Sequence, residues 1–152
     1  MGAGLDLQDL VSDGVAVIVA TRDDELRPEL GRAWGPSLSE DGARLTVCVE
    51  ATPDSEMLNN LKPGIPVAIT LARLVSHKTV QLKGRAVDVS VPTSERLATV
   101  AEHIDRFLSE GEEVGMPRAF GSGLIGHDLM TVTIDVAERT NETPGPDAGR
   151  PL

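Results

Sequence analysis

LTVCVEATPDSEMLNNLKPGIPVAITL, Leu45 to Leu71, decides the fold. It opens on an apolar, β-branched run, breaks on polar residues, and ends on a second apolar run after Pro63-Gly64. Between the runs, Thr52 is a good N-cap, Pro53 suits a first helical position and Pro63-Gly64 stops the helix. Met57, Leu58 and Leu61 have the spacing of residues that share one helix face. The stretch therefore reads as a strand from Leu45 to Glu50, a short helix, and a strand from Pro66 to Leu74. Asp54 and Glu56 complement the positive end of that helix, each contributing about 0.3–1 kcal/mol. The helix start is thus complete as a cap, and it is also a candidate anion cradle.

Upstream, GVAVIVAT (Gly14 to Thr21) is a compact apolar strand leaving through RDDE, and ELGRAWG (Glu29 to Gly35) is its antiparallel return. Asp41-Gly42 is a hairpin signal that feeds Leu45. Downstream, KTVQLKGRAVDV (Lys78 to Val89) alternates, but Val80 and Leu82 have the opposite parity to Val87 and Val89. A bulge near Gly84 accounts for the slip. Thr93 to Glu110 is an amphipathic helix with Leu97, Val100, Ala101, Ile104 and Leu108 on one stripe, Thr93 or Ser94 as cap and Gly111 as stop. A glycine-rich irregular segment then leads into DLMTVTIDVAE, a last strand. About six strands in hairpin-like succession with two main helices predict an α+β domain, its largely antiparallel sheet curled into a small barrel. The domain is expected over residues 1–140, and residues 141–152, poor in apolar side chains, are expected to be flexible unless they dock.

The chain has 152 residues, with 14 Lys and Arg against 24 Asp and Glu, a formal charge of −10. Such a surface repels polyphosphate, and basic amphipathic stretches are missing, so neither nucleic acid nor a membrane is an expected partner. The single cysteine, Cys48, lies in an apolar run and reads as a buried thiol. With no apolar leader in view and no second cysteine, a cytoplasmic address is expected. The start MGAGLD lacks the Ser or Thr that an N-myristoylation signal carries at its sixth position.

GSGLIG (Gly121 to Gly126) has the spacing of a dinucleotide fingerprint, but a loop precedes it and a strand follows, the reverse of what the phosphate-binding turn requires. His77, His103 and His127 have no metal-ligand spacing to each other or to Cys48. His103 reads as decorating a helix face, and His127, beside Asp128, as a loop residue or part of a ligand mouth. No nucleophile elbow of the G-x-S-x-G type occurs. Trp34 is either plain core or, with Arg32 on the same strand parity, one wall of a ligand pocket.

From Arg32 through LTVCVE, SEMLNNL, PVAITLARL and KTVQLKGRA, the chain resembles the pyridoxamine 5′-phosphate oxidase-like split barrels, over most of residues 10–137. The resemblance implies a mostly antiparallel six-stranded split β-barrel and a homodimer that binds flavin mononucleotide (FMN) at the subunit interface, with relatives that use deazaflavin or haem or no cofactor. Carried over, Arg32 and Ser55 match the phosphate-binding residues. Backbone around Val49 and Glu50 would line the ribityl chain or ring, and Thr79 and Gln81 would offer polar contacts near the ring. Glu56 and Met57 stand where two basic residues are expected, and Ser37 where a lysine is. The implied function is flavin-dependent oxidoreduction of a small molecule. The departures keep open a binding module that has lost FMN and takes another small ligand or a protein, and haem, with His77 or His127 as axial ligand, is a third reading.

Overall fold

The computed structural model describes residues 6–152; the start MGAGL, read above for a lipidation signal, lies outside them. Six strands carry the domain: β1 (Ala16–Arg22), β2 (Pro28–Leu38), β3 (Arg44–Glu50), β4 (Pro66–Ala72), β5 (Thr79–Ser90) and β6 (Leu129–Asn141). They are hydrogen-bonded in the order β3-β2-β1-β4-β5-β6, and β6 returns to pair with β3 from Glu50↔Leu129 to Arg44↔Asp135. All these pairings are antiparallel. The sheet is a closed barrel, which removes the free edges that invite association.

Alternation fills the interior. Val17 and Val19, Leu45, Val47 and Val49, Val67, Ile69 and Leu71, Val80 and Leu82, and Val132 and Ile134 are all buried in one cluster. A barrel of this size has room for side chains and nothing else. Its closure needs local departures from regular pairing. The β5–β6 register shifts between Lys83 and Gly84 and again between Ala86 and Asp88, so the bulge read from the change of parity is present. Only glycine fits at position 84, because a Cβ there would lie 1.8 Å from the Asp135 carbonyl oxygen.

Four helices are present among the described residues: α1 (Leu7–Ser12), α2 (Glu56–Asn60), α3 (Ser94–Glu113) and α4 (Arg118–Ser122). The N-cap of α2 is Ser55, not Thr52: its hydroxyl accepts from the Leu58 N–H at 3.1 Å, and Asp54 just before it has φ +63°. α2 closes one end of the barrel, with Met57 and Leu61 in the core and Asn60 donating to the Thr21 hydroxyl at 3.2 Å. Thr93 caps α3 as expected, but the helix runs through Gly111 to Glu113.

The buried face of α3 is rotated from the expected stripe. Val100, His103, Phe107, Leu108 and Gly111 are buried, while Leu97 and Ala101 are exposed. Together with Trp34 and Cys48 the apolar members form a second cluster on the outside of β2 and β3. Trp34 meets Phe107 edge-on, ring centroids 5.1 Å apart. His103, expected on an exposed face, is fully buried. Its Nδ1 accepts from the Gly35 N–H at 3.0 Å and its Nε2–H donates to the Val15 carbonyl at 2.8 Å. Gly35 lies where the β2–β3 register shifts between Trp34 and Ser37, so the ladder has an amide to spare and the imidazole takes it. A helical wheel of apolar residues gives no sign of such a polar bridge.

After Asn141 the chain turns back on itself. A two-residue strand, β7 (Arg150–Pro151), pairs with Thr140 and Asn141, and the Leu152 N–H donates to the Arg139 carbonyl at 2.9 Å.

Burial lowers the His103 pKa from 6.5 to about 4. The unfolded chain therefore binds the proton more tightly, and stability rises with pH between these values. The contribution is complete above pH 6.5 and shrinks as pH falls toward 4, by about 3 kcal/mol in all. Urea unfolding from pH 4 to pH 7 will show this loss on acidification, and His103→Gln, less stable at neutral pH, will show a shallower slope.

Candidate functional site

The outer faces of β1 and β4 are unusual for strands of a lone barrel. Behind the buried Val17, Val19, Val67, Ile69 and Leu71, the alternate residues are Ala16, Ile18 and Ala20 on β1, and Ala68, Thr70 and Ala72 on β4. A solvent-facing antiparallel strand ordinarily carries polar residues there. These are small and mostly apolar, and they form a half-buried platform.

Pairing registers fix what flanks it. Ile18 lies between Arg32 on β2 and Thr70 on β4, and Thr70 lies opposite Gln81 on β5. Arg32, Ile18, Thr70 and Gln81 thus form one row across four strands, about 14 Å from end to end at the ordinary strand spacing. The Gln81 side-chain amide donates to the Thr70 hydroxyl at 3.2 Å, so the far end of the row is a preset polar pair. Arg32, at the near end, is half-buried and forms no ion pair among the described residues. Strand parity and the family resemblance pointed to Arg32, the resemblance alone to Gln81, and Thr70 was missed because PVAITLARL reads as one apolar run.

The other anticipated residues are engaged elsewhere. Trp34 is 2% exposed beneath α3, so it shares a strand face with Arg32 without facing the same surroundings. Its indole N–H donates to the Glu50 carboxylate at 2.8 Å, and the same oxygen accepts from the Gly126 N–H at 2.6 Å. Glu50 therefore pins the loop before β6, and a Cβ at Gly126 would lie 2.7 Å from the Glu50 carboxyl carbon, so a larger residue there displaces that carboxylate. Val49 points into the core and its strand is paired on both edges, with Ala33 and with Met130. The Thr79 hydroxyl donates to the His77 carbonyl at 2.9 Å.

At the positions matched to an FMN phosphate site, the Ser55 hydroxyl accepts from the Leu58 N–H of its own helix and keeps its O–H to donate. Met57 is 3% exposed, its methyl group 3.1 Å from where a Gly31 Cβ would stand, and its sulfur accepts from the Thr21 hydroxyl at 3.5 Å. Glu56 lies in an acidic recess with Asp23 and Glu29, relieved by Arg27. The Asp23 carboxyl is held below its ordinary pKa by hydrogen bonds from the Arg27 backbone and side chain. Ser37 accepts from Arg96 at 2.9 Å. Of the residues matched to the phosphate site, Arg32 forms no ion pair among the described residues and Ser55 keeps its O–H donor, while Glu56 and Met57 add no cation; the platform with Thr70 and Gln81 suits a flat ring.

His77 sits exposed in the β4–β5 turn with φ +59°. His127, also exposed, lines a groove of about 400 Å³ with Ala51, Leu58, Asp128 and Met130.

No family model and no curated protein sequence matches the chain. Solved structures do. An F420 reductase aligns with a TM-score of 0.56 at 14% identity, covering 92% of this chain and 98% of its own. A candidate pyridoxamine 5′-phosphate oxidase from Lactobacillus delbrueckii aligns at 0.53 and 20% identity, covering 90% and 92%. HutZ, a haem-storage protein from Vibrio cholerae, aligns at 0.51 and 18% identity, covering 93% and 95%. At these identities the likeness is one of fold: the chain has the split-barrel fold of the pyridoxamine 5′-phosphate oxidase-like proteins.

Removing the Glu50 carboxylate leaves the Trp34 indole N–H and the Gly126 N–H without an acceptor. Glu50→Ala is expected to cost about 2–4 kcal/mol in chemical denaturation, since each buried group left unpaired costs about 1–3 kcal/mol.

Proposed function

We propose that the chain works as a split-barrel homodimer that binds a flavin-type cofactor, FMN, across the platform of β2, β1, β4 and β5 and serves the oxidoreduction of a small molecule. The observation that carries this reading is the row Arg32, Ile18, Thr70, Gln81: one uncommitted cation, a flat apolar stretch, and a preset amide–hydroxyl pair. FMN, when bound, supplies the redox chemistry; the protein supplies position and electrostatics. Gln81 and Thr70 would orient the polar edge of the ring, and Arg32 would attract its anionic end. A second copy packed over Ile18 would cover the ring's other face and exclude water. A cytoplasmic address belongs to the same proposal, resting on the lone buried Cys48. Among the described residues no helix is long and apolar enough to cross a membrane.

The second reading is a split-barrel module that has dispensed with FMN and takes another small ligand or a protein. Met57 in the core and Glu56 among acids favour it, because a unit charge about 4 Å away is worth about 4 kcal/mol at an effective dielectric of about 20. Haem has less support, since neither His77 nor His127 lies on the platform.

Absorbance and fluorescence titration separate the readings. FMN is expected to bind, and Arg32→Ala to weaken it at least about tenfold, a loss of about 1.4 kcal/mol, less than a charge-assisted hydrogen bond usually contributes. Protein that ignores FMN supports the second reading, and a Soret band on adding haem supports the third. Ile18→Glu places a charge at the centre of the platform and is expected to yield monomers in sedimentation velocity.

A further inference from the structure

A separate groove of about 410 Å³ opens on the outer wall beside the platform, where β1, β4, β5 and β6 meet. Its floor includes Ala20, Ala68 and Ala137. Ala137 is the bulged residue of β6: Lys83 pairs with Glu138 and Gly84 with Val136, leaving Ala137 between them without a partner. The bulge widens the wall and lays a methyl group, not a polar side chain, into the opening.

Around this floor stand Arg22, Lys83 and Arg85, with Glu138 the one acid among the lining residues. The registers place them on adjoining strands: Lys83 lies opposite Ala68, and Arg85 opposite Pro66. None of the three cations forms an ion pair among the described residues. One guanidinium nitrogen of Arg85 donates to the Gly64 carbonyl at 2.9 Å, and one of Arg22 to the Asp23 carbonyl at 3.3 Å. Each guanidinium carries five N–H donors, so most remain available. Three cations against one acid give a local surplus of positive charge on a chain whose net charge is −10. In a field that is negative elsewhere, such a spot concentrates anions.

The geometry points to a binding site for a small organic anion with an apolar body, a phosphate monoester or carboxylate whose body lies on Ala20, Ala68 and Ala137 while its acid group meets Lys83, Arg85 and Arg22. The volume lies within the usual range for small-molecule sites, about 300–1,000 Å³. The assignment does not depend on flavin: it uses neither Arg32 nor Gln81, and it stands if FMN does not bind.

The test uses the whole chain with anilinonaphthalene sulfonate, an apolar ring body with one acid group, and phenyl phosphate as competitor. The dye is expected to bind one-to-one, to be displaced by phenyl phosphate, and to bind more weakly as salt is raised. Lys83→Ala with Arg85→Ala, both exposed positions, is expected to lower dye affinity at least about tenfold. Ala137→Trp, which fills the groove from an exposed position, is expected to abolish displaceable binding. Unchanged dye affinity in the double variant overturns the assignment. So does a double variant that shifts the oligomer distribution in sedimentation without changing dye affinity, because the groove then belongs to a second copy of the chain.

Discussion

The pairing of β3 with β6 is the interaction on which the rest depends. Seven residue pairs, from Arg44↔Asp135 to Glu50↔Leu129, join strands about 85 residues apart and turn an open sheet into a barrel. Closing so long a loop costs entropy, and the buried apolar residues that meet inside offset it. Curvature has its own requirements. Bulges at Gly84 and near Gly35 bend the wall, and each leaves something behind: Ala137 unpaired on β6, and a Gly35 amide that His103 takes up. The barrel's two outer features, the groove beside β6 and the helix α3 clamped over Trp34, are consequences of how the sheet closes.

α2 seals one end of the barrel. Its position at the barrel end makes Met57 a plug and Asn60 a partner for Thr21. A cation in place of Met57 would be buried in the apolar core, so the residue type that seals this barrel end differs from the one that grips a phosphate. Ser55 caps the helix with its oxygen lone pair. On the wall, apolar outer faces on β1 and β4 sit between Arg32 and the Thr70–Gln81 pair, the place proposed above for ligand recognition.

The succession of six strands, the parity slip at Gly84, the Thr93 cap and the buried character of Cys48 were legible because each follows from local pattern: alternation, cap chemistry, an apolar run. The N-cap of α2 was misplaced by three residues because Thr52 and Ser55 are chemically equivalent caps, and only the tertiary position of Met57 chooses between them. His103 was missed because its role depends on a bulge 68 residues away in sequence. The tail's return to β6 was equally hidden, since it rests on backbone hydrogen bonds that side-chain composition does not report. At the site, residues were legible one strand at a time. Their union in a single row, and the collection of Arg22, Lys83 and Arg85 around a groove, required the registers between strands.

The central claim is that ligand recognition resides on the outer wall, along the row through Ile18, and not at the start of α2. Backbone amide NMR during FMN titration tests it most directly. The account predicts that the amides of Ile18, Arg32, Thr70 and Gln81 shift together with one saturation curve while those of Ser55 and Glu56 stay still. Shifts centred on Ser55 to Leu58, with the wall unperturbed, would contradict it.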